Sequence, residues 1–225
     1  MNTTKKIYLA TNNLHKKREM EAILKTELTI PKDEGIEFDV VEDGLTFIDN
    51  AIIKAKALYD IVKQPVLADD SGLCVTALGG APGIYTARFG QDEGVVDQKG
   101  QNDLLIKKLE NKEDRSASFI CAFVLYFNEN RMYAIQEEFK GKIAFSEYGE
   151  GGFGYDPIFI ADGQTKTNAE LGDDFKNEYS HRAKAAKKIK QLMEEKWKEV
   201  NKKSKILGPW CIHQVKNGKR IMMLY

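Results

Sequence analysis

The chain has 225 residues, of which 42% are hydrophobic and 30% are charged, a composition that suits a globular domain and argues against disorder. No stretch approaches the roughly 20 consecutive apolar residues that a membrane-spanning helix needs, and the N-terminus lacks the apolar segment of a signal peptide. These features exclude a membrane protein and predict a cytoplasmic one.

The net charge of zero hides an uneven distribution. Residues 201–225 contain six Lys and Arg and no acidic residue, which leaves residues 1–200 with a net charge of −6. Because so acidic a body binds nucleic acid poorly, we expect no nucleic-acid partner. The three cysteines are widely separated and odd in number, which favours neither a disulfide framework nor a zinc cluster.

The first strand-to-helix turn is a candidate phosphate site. Residues 7–10 predict a buried strand, and the segment 11–16 then enters a helix whose N-terminus would favour an anion. Lys16 could neutralise a phosphate. The segment lacks the glycine spacing of a Walker A loop, however, and on its own it favours Asn12 and Asn13 as simple helix caps.

A second helix is predicted to begin near Thr46. Thr46 and Asp49 have capping-box spacing, and apolar residues follow at helical intervals. Asn50 and Lys54 are four residues apart and therefore share one face of this helix. Glu42, in the preceding loop, could be a metal ligand or a solvated acid.

Two adjacent carboxylates follow the next predicted strand. Residues 65–68 predict a short buried strand that presents Asp69 and Asp70 at its carboxyl end, where α/β proteins often hold active sites. Such a pair can hold a hard cation through oxygen while one member orients or deprotonates water. The segment 69–72 is also common in turns, so these residues alone leave both interpretations open.

The second half of the chain begins with a predicted hairpin and ends with a long helix. Residues 118–127 and 131–139 predict paired strands, and the glycine-rich segment 149–154 predicts a loop that leads into a strand at 158–161. Ser180 is a plausible N-cap for a long amphipathic helix.

Two segments of this half could recognise a planar base. Phe153 lies between glycines and could stack on a base, or it could be a core aromatic beside a turn. Lys176, His181 and Arg182 combine an ammonium, an imidazole and a guanidinium. Arg and His can donate to the 6-oxo group of hypoxanthine or xanthine, whereas the 6-amino group of adenine is itself a donor. A helix start with an exposed His-Arg pair is otherwise unremarkable.

Taken together and in this order, these segments resemble the non-canonical purine NTP pyrophosphatase family, also called the inosine triphosphatase family. The resemblance covers residues 7 to about 195. Separated blocks with consistent spacing are far more specific than any one of them. The matching blocks are 10–13 with Lys16 and Glu19, 42–47 with Asn50 and Lys54, 68–73, 78–85, 152–159 and 180–182.

The resemblance implies a mixed α/β, inosine triphosphatase-like fold, with two lobes around an elongated twisted mixed sheet and a central substrate cleft. It also implies Mg²⁺ as cofactor and a homodimer. The implied reaction is attack of water at the α–β phosphate linkage, which gives nucleoside monophosphate and pyrophosphate. Such an enzyme removes ITP, dITP and XTP before they enter DNA and RNA.

The resemblance also assigns residues by position. Asp70 would be the catalytic acid/base and a metal-associated carboxylate. Glu42 would be a further metal ligand, although acidic residues in that loop shift register among relatives. The implied substrate-binding residues are Thr11, Asn12, Asn13, Leu14, His15, Lys16, Ser71, Phe153, Gly154, Tyr155, Asp156, Lys176, His181 and Arg182.

Some features depart from the family pattern. Thr86 stands where serine is usual, and Thr76 stands where aspartate is frequent. The tail does not align, so we predict a pyrophosphatase domain over residues 1–200 and a basic extension of unknown role over 201–225. Residues 216–219 of that extension have the sequence of a β-hairpin turn.

Two other functions compete with this prediction. Maf-like pyrophosphatases share the fold and prefer modified or pyrimidine nucleotides, but the blocks at 152–156 and 180–182 argue against them. A nucleotide-sensing protein could keep the pocket without turnover, but the intact pair Asp69 and Asp70 argues against that.

Overall fold

The structure is a computed structural model that describes residues 6–206, 214–216 and 219–221. Its contacts divide the chain into two compact units, residues 1–189 and 190–225. Among the described residues, no helix has the length and apolar character needed to cross a membrane.

A five-stranded mixed sheet forms the first unit's centre, in the order β1-β2-β3-β4-β5. Strands β1 and β2 are parallel, and each later strand is antiparallel to its neighbour. The predicted mixed α/β class is therefore confirmed. The strands are β1 Tyr8–Leu9, β2 Val66–Val75, β3 Ser116–Asn128, β4 Arg131–Ile143 and β5 Phe159–Ala161.

In the part of the chain that the structure describes, five α-helices accompany the strands. The predicted helices after residue 13, after Thr46 and after Ser180 are confirmed, and α3 and α4 are additional. The helices are α1 Leu14–Leu24, α2 Phe47–Val62, α3 Gln98–Lys108, α4 Asn168–Tyr179 and α5 His181–Ile206. In the second unit, β6 (Gln214–Lys216) pairs antiparallel with β7 (Lys219–Ile221), and residues 217–218 between them lie outside the described residues.

The start of α2 follows its sequence closely. Thr46 caps the helix, because its hydroxyl accepts a hydrogen bond from the Asp49 backbone N–H at 3.1 Å. Ala51, Ala55 and Leu58 are fully buried on the face that packs against β2 and β3. Burial of this apolar face fixes the helix against the middle of the sheet.

The strand that carries the two aspartates is longer than predicted. We expected it to end at residue 68, but β2 continues to Val75, and Asp69 and Asp70 pair with Phe123 and Ala122 of β3. The prediction that they lie at the carboxyl end of a strand is therefore wrong, and so is the turn alternative. Neighbouring residues of a strand point to opposite faces, so the two carboxylates face different surroundings.

Strand β2 also joins two hydrophobic cores. Val66 and Ala68 belong to a core with α2, whereas Leu73 and Val75 belong to one that includes α3, β4 and β5. The polar segment 69–72 lies between them. The sheet therefore carries polar side chains at its centre, where the two cores leave room for a cavity.

Candidate active site

A cavity of about 270 Å³ opens beside the middle of β2. It brings together most of the residues that the sequence predicted. From the first half of the chain come Asn13, Lys16, Glu42, Asp70 and Ser71. From the second half come Phe153, Gly154, Tyr155, Asp156, Lys176, His181 and Arg182.

Four predicted substrate-binding residues do not line this cavity. The Thr11 hydroxyl accepts from the Asn13 N–H at 3.1 Å, and the Asn12 amide donates to the Phe38 carbonyl at 2.6 Å. Leu14 is exposed, and the side chain of His15 lies outside the described parts of the chain. The substrate role of these four residues stays a prediction.

Asn13 combines the two roles predicted for residues 11–16, as a helix cap and as part of a phosphate site. Its side-chain oxygen accepts from the Lys16 N–H at 3.2 Å, which caps the first turn of α1, and Asn13 also lines the cavity. The N-terminus of α1 therefore faces the cavity, with its partial positive charge and Lys16 on the same side.

Asp70 lies between two polar residues of α2. The Asn50 amide donates to Asp70 Oδ2 at 3.1 Å, and the Lys54 ammonium donates to Asp70 Oδ1 at 3.4 Å. Burial raises the pKa of Asp70 above its ordinary value, and the Lys54 charge only partly opposes that rise. Asp70 is therefore a stronger base than a solvated carboxylate, as a proton acceptor for water requires.

Glu42 and Asp70, the predicted metal ligands, both contact the ammonium of Lys54. Lys54 Nζ lies 2.7 Å from Glu42 Oε2 and 3.4 Å from Asp70 Oδ1. Among the described residues, no group of three or more His, Cys, Asp or Glu could hold a metal ion. Mg²⁺ commonly takes one or two carboxylates together with substrate phosphate oxygens, so this oxygen pair fits that ion.

Arg182 is held by groups on α1 and β2. Its Nη1 donates to Glu19 Oε2 at 2.7 Å, and its Nη2 donates to Ser71 Oγ at 3.0 Å. Asp69 Oδ2 lies 3.6 Å from the same Nη2. The guanidinium is thus fixed at the cavity wall by its two Nη groups, whereas its buried Nε has no hydrogen-bond partner among the described residues.

His181 is a buried, neutral imidazole. Its ring stacks on Phe119, with centroids 5.0 Å apart and 9° between the planes. Burial, reinforced by the Arg182 charge, lowers the pKa of His181 well below its ordinary value. Its Nδ1 has no hydrogen-bond partner among the described residues, so a polar group of a ligand could occupy that position.

Asp156 organises the loop that carries Phe153. Its carboxylate accepts from Lys176 Nζ at 2.5 Å, from the Phe153 N–H at 2.7 Å and from the Asn168 amide at 3.2 Å. Phe153 itself is 56% exposed, so the alternative that it is a core aromatic is wrong. The loop instead presents the ring at the cavity, where it can stack on a planar ligand.

Several cavity residues were not assigned a role from the sequence. Asn50 and Lys54 are 2% and 8% exposed, although they lie on the otherwise apolar buried face of α2. A buried lysine on an apolar helix face is a rare signal that could have identified them. Glu19, Gln98 and Phe119 also line the cavity.

Known proteins resemble this chain over most of its length. The model of the Ham1 family matches residues 7–192. A dITP/XTP pyrophosphatase of Treponema denticola is 52% identical over 191 residues, which are 84% of this chain and 98% of that protein. Another, from Clostridium tetani, is 41% identical over 196 residues, 84% of this chain and 96% of its own length.

The fold agrees with solved structures. The Staphylococcus aureus Ham1 protein superposes with a TM-score of 0.78 at 36% identity and covers 85% of this chain and 100% of its own. The Ham1 protein of Coxiella burnetii gives a TM-score of 0.77 at 36% identity, over 84% and 98% of the two chains. With a family model that spans most of its length and relatives this similar, the chain belongs to the Ham1 family.

Proposed function

We propose that this protein hydrolyses non-canonical purine nucleoside triphosphates, namely ITP, dITP and XTP, to the monophosphate and pyrophosphate. One observation carries the proposal: a single cavity holds a carboxylate of raised pKa, Asp70, together with an exposed aromatic ring and a fixed guanidinium. The first of these groups suits activation of water, and the others suit a planar base with an oxo group. The names of the relatives support the same reaction.

In the proposed mechanism, Asp70 accepts a proton from water as the water oxygen bonds to the α-phosphorus. The bond from that phosphorus to the bridging oxygen breaks, and the oxygen leaves with pyrophosphate. Asn50 fixes the orientation of the Asp70 carboxylate, while Lys16 and Lys54 offset the negative charge of the phosphates.

Mg²⁺ is the proposed cofactor, held by Asp70 and Glu42. When bound, it would neutralise phosphate charge and polarise the reacting phosphorus. Lys54 contacts both carboxylates and would have to share them with the ion. The assignment of Mg²⁺ is supported by the carboxylate oxygens of Asp70 and Glu42, which are ligands that this ion prefers.

At the end of the cavity that would hold the purine base, His181 and Arg182 would hydrogen-bond to its 6-oxo group, and Phe153 would stack on its ring. Lys176 is neutralised by Asp156, so this end of the cavity carries little free charge. Adenine would present an amino donor to the donors of Arg182, which disfavours it. The proposed selectivity therefore comes from hydrogen-bond polarity.

The family match ends at residue 192, which supports a catalytic domain over residues 1–200 and a basic extension over 201–225.

We further propose that the enzyme acts in the cytoplasm as a homodimer that cleanses the nucleotide pool. Exposed Leu45 and Tyr85, which line a shallow groove, offer apolar surface for such a contact.

A substrate panel tests the proposed function. Pyrophosphate and phosphate release are measured for ITP, dITP, XTP and ATP, with Mg²⁺ and with chelator. We expect pyrophosphate from the three oxo-purine nucleotides, little turnover of ATP, and loss of activity with chelator. Release of phosphate alone, or equal turnover of ATP, would contradict the proposal.

The pH dependence tests Asp70 as the base. Turnover requires ionised Asp70, so kcat/KM falls as the pH drops through its pKa. Lys54→Met removes the cation that lowers this pKa, while the burial that raises it remains. We therefore expect the acid limb of the pH profile to move to higher pH. An unchanged limb, or one moved to lower pH, would show that Asp70 does not control it.

A further inference from the structure

Asp69 is a buried carboxylate that the proposed mechanism does not use. It is 1% exposed and is not among the residues that line the cavity, because it points to the opposite face of β2 from Asp70. Within the described chain, its Oδ1 has no hydrogen-bond partner. Burial of a charge without hydrogen bonds is costly, so Asp69 needs compensation by charge.

Two cations supply that compensation at a single oxygen. Asp69 Oδ2 lies 3.1 Å from Lys16 Nζ and 3.6 Å from Arg182 Nη2. These two charges hold the pKa of Asp69 well below its usual range, although burial alone would raise it. Asp69 is therefore ionised and carries one negative charge against two positive ones.

The two cations come from different elements and both line the cavity. Lys16 lies in the first turn of α1, and Arg182 lies in the first turn of α5. Among the ion pairs of the described residues, those of Asp69 are the ones that join these two side chains. A contact shared through one buried oxygen makes the position of each cation depend on the other.

We propose that Asp69 is a positioning residue that couples the phosphate end of the cavity to the base end through the shared contact with Lys16 and Arg182. This inference rests on the proposed function, in which Lys16 serves the triphosphate and Arg182 the purine. Loss of Lys16 leaves Asp69 with Arg182 as its remaining partner. The guanidinium is then drawn toward Asp69 from its 3.6 Å separation and away from the base.

The test is a double-mutant cycle read through base selectivity. Wild type, Lys16→Met, Asp69→Asn and the double variant are compared by the ratio of kcat/KM for dITP to kcat/KM for dATP. Lys16→Met is expected to lower this ratio about fivefold, although Lys16 is assigned to the phosphates. Asp69→Asn is expected to lower it similarly, because Arg182 loses the charge that holds it from this side. The double variant is expected to lower it no further, because the loss of Lys16 acts on Arg182 through Asp69.

A purely structural role for Asp69 would not produce this pattern. It would lower both rates by the same factor and leave the selectivity ratio unchanged, which would overturn the inference. Additive losses of selectivity in the double variant would overturn it as well. If Asp69→Asn does not fold, Lys16→Met alone tests the coupling. An unchanged ratio of kcat/KM for dITP to kcat/KM for dATP in that variant would also contradict it.

The control and the wild-type assay separate this inference from the proposed function. Cys74 lies on the same strand but does not line the cavity, so we expect wild-type selectivity from Cys74→Ser. If wild type releases no pyrophosphate from dITP, the proposed function fails. If it does so and the selectivity losses are additive, the coupling alone fails.

Discussion

Asp70→Asn is expected to lower kcat for dITP by about 10³-fold while nucleotide binding remains measurable. The amide keeps the shape of the side chain but cannot accept the proton of the attacking water. It can still accept a hydrogen bond from Asn50, which lies 3.1 Å from the carboxylate in the native site. The loss should therefore fall on the chemical step.

Calorimetric titration of dITP into the variant and steady-state pyrophosphate release check this prediction together. Asp43→Asn is a matched control, because Asp43 is exposed, lies outside the cavity and loses the same charge. We expect near wild-type turnover from the control. Near-normal turnover by Asp70→Asn would remove Asp70 from the mechanism.

Gly72→Ala is expected to reduce the free energy of unfolding by about 3 kcal/mol, because no space exists for a methyl group there. A Cβ at Gly72 would lie 2.3 Å from the Gly83 carbonyl oxygen and 2.5 Å from Thr86 Oγ1. Strand β2 cannot shift to relieve the overlap, since Gly72 is paired with Ile120 of β3. Urea unfolding measures the loss.

Gly151→Ala provides the comparison for this substitution. Its nearest neighbour would be the Ala169 carbonyl oxygen at 3.3 Å, so we expect a much smaller change in stability. Equal stability of wild type and Gly72→Ala would mean that the loop containing Gly83 and Thr86 is not packed against β2 as described.

The contact between Thr86 and β2 accounts for one expected departure from the family pattern. Thr86 stands where serine is usual, but the hydroxyl is retained: it donates to the Gly83 carbonyl at 2.7 Å and accepts from the Leu73 N–H at 2.8 Å. This hydroxyl links the loop to β2 through hydrogen bonds, and a serine hydroxyl could make the same bonds.

Local sequence predicted much of the secondary structure, but not the length of β2. The segment 69–72 has strong turn chemistry, and its local preference was overridden by pairing with the buried residues of β3. Tertiary pairing of this kind has no signature within the segment itself. The direction of each aspartate, and hence the different environments of Asp69 and Asp70, could not be predicted without it.

Helix α3 was missed because its sequence is weakly amphipathic. Of its residues, Leu105 is the fully buried apolar one, and a glycine lies near its start. The Asp97 side chain caps the helix by accepting from the Gly100 N–H at 2.7 Å. An aspartate before a polar stretch was the available signal, and it is a weak one.

The cavity itself was predicted in outline from the order of separated motifs. Lys16, Asp70, Phe153 and Arg182 are far apart along the chain and all line it. The ion pairs around the cavity were beyond sequence reasoning, because they depend on how α1, α2 and α5 meet the centre of the sheet. Lys54, which contacts two carboxylates, is the clearest example.

In the proposed mechanism, water attacks the α-phosphorus of an oxo-purine triphosphate, with Asp70 as the base. The most direct test of this mechanism is the dITP assay carried out in ¹⁸O-labelled water, with mass spectrometry of both products. We predict a single ¹⁸O atom in deoxyinosine monophosphate and none in pyrophosphate. Label in pyrophosphate, or release of labelled inorganic phosphate, would contradict this mechanism.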